Sequence, residues 1–178
     1  MLYSIVFTVI IIGIGVISLY VQYPIKTDAV DIKKHLEGWE NRLDTSHTIE
    51  VISFKQLGET GIYLASYKLD DSPAIAMLEK GINSRLKIVR SSSGTGVVRY
   101  KDVATDDGVY VALYGVNPNE KISMIEVDLQ TADYSYRVDV PKGDYFTVVD
   151  LLPTTIKSPV AISFTAYDKN GKQLNLGE

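Results

Sequence analysis

The side chains of this chain that could do chemistry are few and widely spaced. His35 and His47, the only two histidines in 178 residues, stand twelve apart. A histidine metal site or acid–base pair is therefore not expected. Cysteine is absent, which removes disulfides, thiolate zinc sites, Fe–S clusters, cysteine nucleophiles and lipoprotein acylation. The acidic pairs Asp70-Asp71 and Asp106-Asp107 have the composition of a cation site or a carboxylate dyad. Each adjoins Ser-Pro or Gly, however, where aspartate closes turns through its own backbone bonds. Asp168-Lys169-Asn170-Gly171 starts like a calcium loop but lacks the further acidic positions and terminal glutamate of an EF-hand, so it reads as a hairpin turn. No G-x-S-x-G, H-E-x-x-H, S-x-x-K or dinucleotide fingerprint occurs. No catalytic, metal or cofactor residue is nominated, and a non-enzymatic role is expected.

The one local basic cluster is Arg85, Lys87, Arg90 and Arg99 around the segment Ser91-Ser92-Ser93-Gly94-Thr95-Gly96. Backbone amides and the hydroxyls of Ser92 and Thr95 on such a loop can receive an anion between bidentate arginines. The segment lacks the G-x-x-x-x-G-K-[ST] spacing of a nucleotide site. Its alternatives are a plain polar connection, or a contact with an anionic surface polymer, a lipid headgroup or an acidic partner. A net charge of −4 argues against nucleic acid, which selects a basic surplus.

These residues must be held by something, and the strongest structural signal lies at the other end. Residues 1–25 contain no charged side chain, and 2–21 are almost continuously apolar. Twenty residues at helical rise match the roughly 30 Å hydrocarbon core of a bilayer. Tyr3 lies near one end and Tyr20 and Tyr23 near the other, where amphipathic rings favour the headgroup region. Pro24 and Lys26 close the span. A cleaved signal peptide would have a basic start, a shorter core and small residues before the cut; Gly13 and Gly15 lie mid-run instead. The expectation is an uncleaved single-pass helix in the lipid bilayer. Lys26, Lys33, Lys34 and Arg42 follow it, and by cation counting they would hold the remainder in the cytoplasm. Large domains translocate regardless of such charges, and the cysteine-free, Tyr/Ser/Thr-rich remainder suits export, so an extracellular domain is expected. Ser4, Thr8, Gly15 and Ser18 share one helical face, a candidate seam for a partner helix.

After the span, Thr27 or Asp28 can cap a helix running to about Asp44. Ile32, Leu36, Trp39 and Leu43 recur at spacings of four, three and four, too short a stripe for a coiled coil of its own. Docking on the chain's own domain is expected, with Ile32 and Trp39 the alternative contact surface for a partner or for self-association. From residue 48 the period becomes strand-like. Segments 49–54 and 62–67 form a hairpin across Gly58–Gly61. Residues 71–81 read as a short helix, capped at Asp71-Ser72-Pro73, with Ile75, Leu78 and Ile82 on its apolar side. Strands are expected at 86–89, 97–103, 109–115, 122–129, 134–140, 145–152 and 160–167, with a phase slip near Met124 suggesting a bulge. Asn170-Gly171 then turns into a last strand at 172–176. Of 12 tyrosines, nine lie beyond the span, several alternating with polar residues as half-buried sheet positions do.

The stretches Glu79-Lys80-Gly81-Ile82-Asn83, Tyr110-Val111-Ala112-Leu113-Tyr114-Gly115-Val116-Asn117 and 134–140 resemble, in general pattern, small membrane-anchored proteins of Gram-positive Firmicutes with β-rich exported domains. The resemblance implies a cell-surface location and assigns no activity. The resulting expectation is an α+β, β-rich chain. It consists of an anchor (1–25), a juxtamembrane amphipathic helix (26–47), an α+β part (48–105) and a mainly antiparallel, sandwich-like part (106–178). Its function would be non-catalytic binding, sensing or accessory work at the surface. The alternative is a pilin- or pseudopilin-like assembly subunit, which also starts with a hydrophobic helix but would carry a basic leader and a glutamate early in the run.

Overall fold

A computed structural model describes residues 2–43, 46–129, 133–156 and 162–176; the side chains at 2, 4, 5 and 162 fall outside the description. Asp44, the start of the strand expected from residue 160, and the Ser4 side chain of the expected seam therefore lie outside it. Among the described residues two α-helices, α1 (Leu2–Gln22) and α2 (Ala29–Glu40), precede eleven strands. All strand pairings among the described residues are antiparallel.

The strands β1 (Ile49–Gln56), β2 (Ile62–Leu69), β3 (Ser72–Lys80) and β4 (Leu86–Ser93) form a four-stranded meander. Next come β5 (Val98–Thr105) and β6 (Gly108–Val116), which pair with β9 (Tyr145–Leu151) in the order β5-β6-β9. The third sheet has the order β11-β10-β7-β8, from β7 (Met124–Leu129), β8 (Tyr134–Asp139), β10 (Ile162–Tyr167) and β11 (Gln173–Leu174). The second and third sheets share a core of Val111, Leu113, Phe146, Ile125, Val127 and Ala166, among others. Seven strands divided in this way make an immunoglobulin-like sandwich whose fourth strand lies beside the third. The opposite face of the second sheet packs Val103, Ala112 and Tyr114 against Leu57, Leu64 and Ile75 of the meander. The meander's outer face takes α2 and Ile25. The order of layers is thus helix, sheet, sheet, sheet, with three cores between them.

This layering explains where local pattern misleads. Residues 72–80 are not a helix but β3, because this strand is covered on both faces. Ala74, Ala76 and Leu78 point to the α2 side and Ile75 and Met77 to the second sheet. A strand buried on both sides loses polar alternation and becomes indistinguishable by period from a buried helix. Pro73 sits at the strand's start, beyond the end of the pairing with β4, where a missing N–H is tolerated. Strand β4 runs on through Ser91–Ser93, so half of the expected 91–96 loop is paired sheet. No bulge is found at Met124, where β7 begins; the irregular registers fall at Val51/Ser53 and Met77/Leu78. The expected division at 105/106 falls inside the β5–β6 hairpin, so the sheets separate at 94–97 instead.

Both acidic pairs occupy two-residue hairpin turns, Asp70-Asp71 between β2 and β3 and Asp106-Asp107 between β5 and β6. Asp70 accepts from the Thr48 amide at 2.9 Å and meets His47 Nδ1 at 2.7 Å, which ties the entry of β1 to the turn. The Asn170-Gly171 turn is also present, with Asp168 accepting from the amides of Asn170 and Lys172.

Candidate functional site

The site is built where α1 meets the domain. Pro24 stops the helix, and Ile25 makes a two-way backbone bridge with Leu86, at 3.0 and 2.7 Å, while its side chain enters the α2 core. A helix end leaves carbonyls without partners, and here the β3–β4 turn supplies them. Asn83 Nδ2 donates to the Leu19 and Tyr23 carbonyls at 3.1 and 3.4 Å. Arg85 Nε donates to the Pro24 carbonyl at 3.0 Å, joined by Nη2, and the Arg85 amide donates to Asn83 Oδ1. The last turn of α1 contains no basic residue, so Arg85 brings from another element the cation that a helix C-terminus favours. Arg85 also lies 5.5 Å from the Tyr20 ring, and Lys87 Nζ lies 5.0 Å from that of Tyr23. Gly81 packs flat beneath Tyr23; a Cβ there would stand 2.6 Å from the ring.

The second wall is α2. Asp28 caps it, accepting from the Asp31 amide at 2.9 Å. Asp31 in turn accepts from the Lys26 amide, a bond that holds its carboxyl below the usual carboxylate range. Ile32 and Leu36 are fully buried against the meander, worth about 1.5–3 kcal/mol apiece. The expected stripe therefore docks on its own domain. It ends earlier than its spacing implies, since Leu43 is 77% exposed. Trp39 is half-buried and donates to Ser91 Oγ at 3.0 Å, and Tyr67, buried beneath the helix, donates to Glu40 at 2.5 Å.

Between these walls lies a cavity of about 420 Å³, floored by Val21, Pro24, Ile25, Trp39 and Ile88 and rimmed by Lys34, His35, Arg42 and Lys87. Its described lining contains no carboxylate. Arg42 stacks 4.3 Å over the Trp39 ring and donates to the Trp39 carbonyl. Lys87 is held at 3.1 Å by Glu79, which with Tyr23 pushes its ammonium pKa up. His35 Nδ1 faces the Asp31 carbonyl at 2.9 Å. An apolar floor under a cationic rim can receive an anionic group attached to an apolar body.

Of the residues nominated from the sequence, Arg85, Lys87 and Trp39 meet at the neck and the others do not join them. Arg85 and Lys87 belong to the neck, and Trp39 lines the cavity. Ile32 is 0% exposed, so it is core and no contact surface. Arg90 lies towards the other end of β4, with Nη2 3.5 Å from Met77 Sδ. Ser92 pairs with Ile75 inside the sheet. Thr95 is exposed in the β4–β5 connection. Arg99 donates to Tyr114 Oη at 3.3 Å and closes over Gly94, so the segment is not an open anion loop. Sequence reasoning missed Asn83, Lys34 and Arg42. Gly38, which lines the cavity with open space where a Cβ would stand, was the available signal, visible as a glycine in mid-helix. Among the described residues no group of three or more metal-ligating side chains occurs. No protein-family model, curated protein or solved structure matches the chain.

Proposed function

We propose that the protein is a single-pass membrane protein that displays its layered domain outside the cell as a non-catalytic binding, sensing or accessory module. The observation that carries this reading is the bareness of α1. Apart from half-buried Leu19, its described apolar side chains are exposed on every side, from Phe7 at 65% and Ile10 at 53% to Ile17 at 66% and Val21 at 75%. An all-round apolar helix with no protein cover needs another apolar medium. Counted over described residues alone, no helix is long and apolar enough to cross a membrane. Described side chains run unbroken over 6–22, about 26 Å at helical rise. The helix itself has 21 residues, about 32 Å, which matches a hydrocarbon core. Tyr20, Tyr23, Arg85 and Lys87 gather at its domain end, the composition of a membrane–water interface.

The test is protease treatment of intact cells carrying a C-terminal epitope. Loss of the epitope with a cytosolic control protected is the expected result. Protection that disappears only on lysis places the domain inside and overturns external display.

A further inference from the structure

We propose that the neck cavity binds the phosphate headgroup of an anionic lipid from the bilayer that holds α1. The inference rests on the anchored reading above and adds a ligand to it. Three observations converge. First, Val21 and Gln22, the last residues of α1, line the cavity, so it opens at the depth where headgroups lie once the helix is inserted. Second, the lining is complementary to a phospholipid in both charge and polarity. Lys34, Arg42 and Lys87 stand in a lining that has no carboxylate, Lys87 being paired with Glu79 from outside it, although the whole chain is net negative at −4. Lys34 has no ion pair among the described residues. The floor of Val21, Pro24 and Trp39 suits the glycerol and upper acyl region. Third, Ile82 is 87% exposed on the turn whose Asn83 bonds the Leu19 carbonyl. An isoleucine in that place is wetted unless lipid covers it.

In this geometry Arg42, its planar guanidinium oriented by the stack on Trp39, offers a bidentate face to phosphate oxygens. Lys34 and Lys87 add point charges from the two opposite walls. Occupancy would pin α2 and β4 to the membrane surface and fix the domain's tilt.

The protein carries its own reporter, because Trp39 is the single tryptophan. The full chain is reconstituted into phosphatidylcholine vesicles doped with equal fractions of acyl-brominated phosphatidylglycerol or acyl-brominated phosphatidylcholine. Flotation is scored first, then Trp39 quenching. The expected result is flotation in both, with stronger quenching by the anionic lipid. Lys34→Gln or Arg42→Gln should each weaken that preference about fivefold, and Arg90→Gln, at a cation outside the cavity lining, should leave it intact. A chain that floats but is quenched equally by both lipids overturns the lipid site and leaves the anchor standing. An equal loss of preference with Arg90→Gln reduces the effect to general surface charge and also overturns it. A Trp39 response to inorganic phosphate alone in undoped vesicles, without lipid preference, assigns the cavity to a free anion instead. A chain that fails to float removes both readings.

Discussion

Arg85 joins two parts of the molecule that its position in the sequence keeps sixty residues apart: its guanidinium holds the Pro24 carbonyl, and the next residue, Leu86, bridges Ile25 and opens β4. Lysine could not replace that forked contact. Arg85→Ala should lower Tm by about 2–4 °C, equivalent to about 1 kcal/mol for a chain of this size, and speed tryptic cleavage at exposed Lys26. Unchanged cleavage would mean that the Ile25–Leu86 bridge alone secures the neck. Asp150 makes a different prediction at the same scale. Partial burial raises its pKa, with Lys55 opposing more weakly. A folded pKa above the unfolded one means that stability falls as pH rises from the unfolded value through the folded one. Asp150→Asn should therefore raise Tm at neutral pH and do nothing at a pH below the carboxylate range. Melting curves at both pH values check the sign. An equal effect at both would assign the change to packing.

At the scale of elements, α2 is held by few side chains. Leu36→Ala, at a site with no exposure, should cost about 2–5 kcal/mol, read as a shift in the denaturation midpoint with unchanged slope. A shift under about 1 kcal/mol would mean that the helix is not docked in solution. Which elements could be read from sequence follows from their surroundings. The cap at Asp28, the stripe at Ile32 and Leu36, and the alternation of Tyr134, Tyr136 and Val138 were legible because each element has one wet face. Strand β3 was not, because α2 covers one of its faces and the second sheet the other. The serines at 91–93 look like loop by composition. Only the partner strand, and the Trp39 indole seeking an acceptor at Ser91, make them sheet. Gly115 shows a constraint that sequence hides altogether: a Cβ there would sit 2.0 Å from the Val97 carbonyl, so the crossing of β6 under that segment requires glycine.

For the molecule as a whole, the β-rich α+β class and the hairpins were readable from strand period and turn residues. The stacking of three sheets was not, since it depends on which faces meet. The basic residues around 85–99 illustrate the same limit for the site. Neighbours in sequence, they are spread from the start of β4 to β5, and the cavity draws Lys34 from α2 and Arg42 from the turn that follows it, some fifty residues earlier. The most informative feature remains the apolar helix with no protein around it, joined to the domain by a closed set of hydrogen bonds rather than by a loose linker. The central claim is that this helix is embedded in lipid. Alkaline carbonate extraction of membranes from cells producing the full chain tests it directly. The account predicts that the protein stays in the membrane pellet, as an inserted helix must; release into the supernatant would contradict it and leave α1 to be covered by another protein surface.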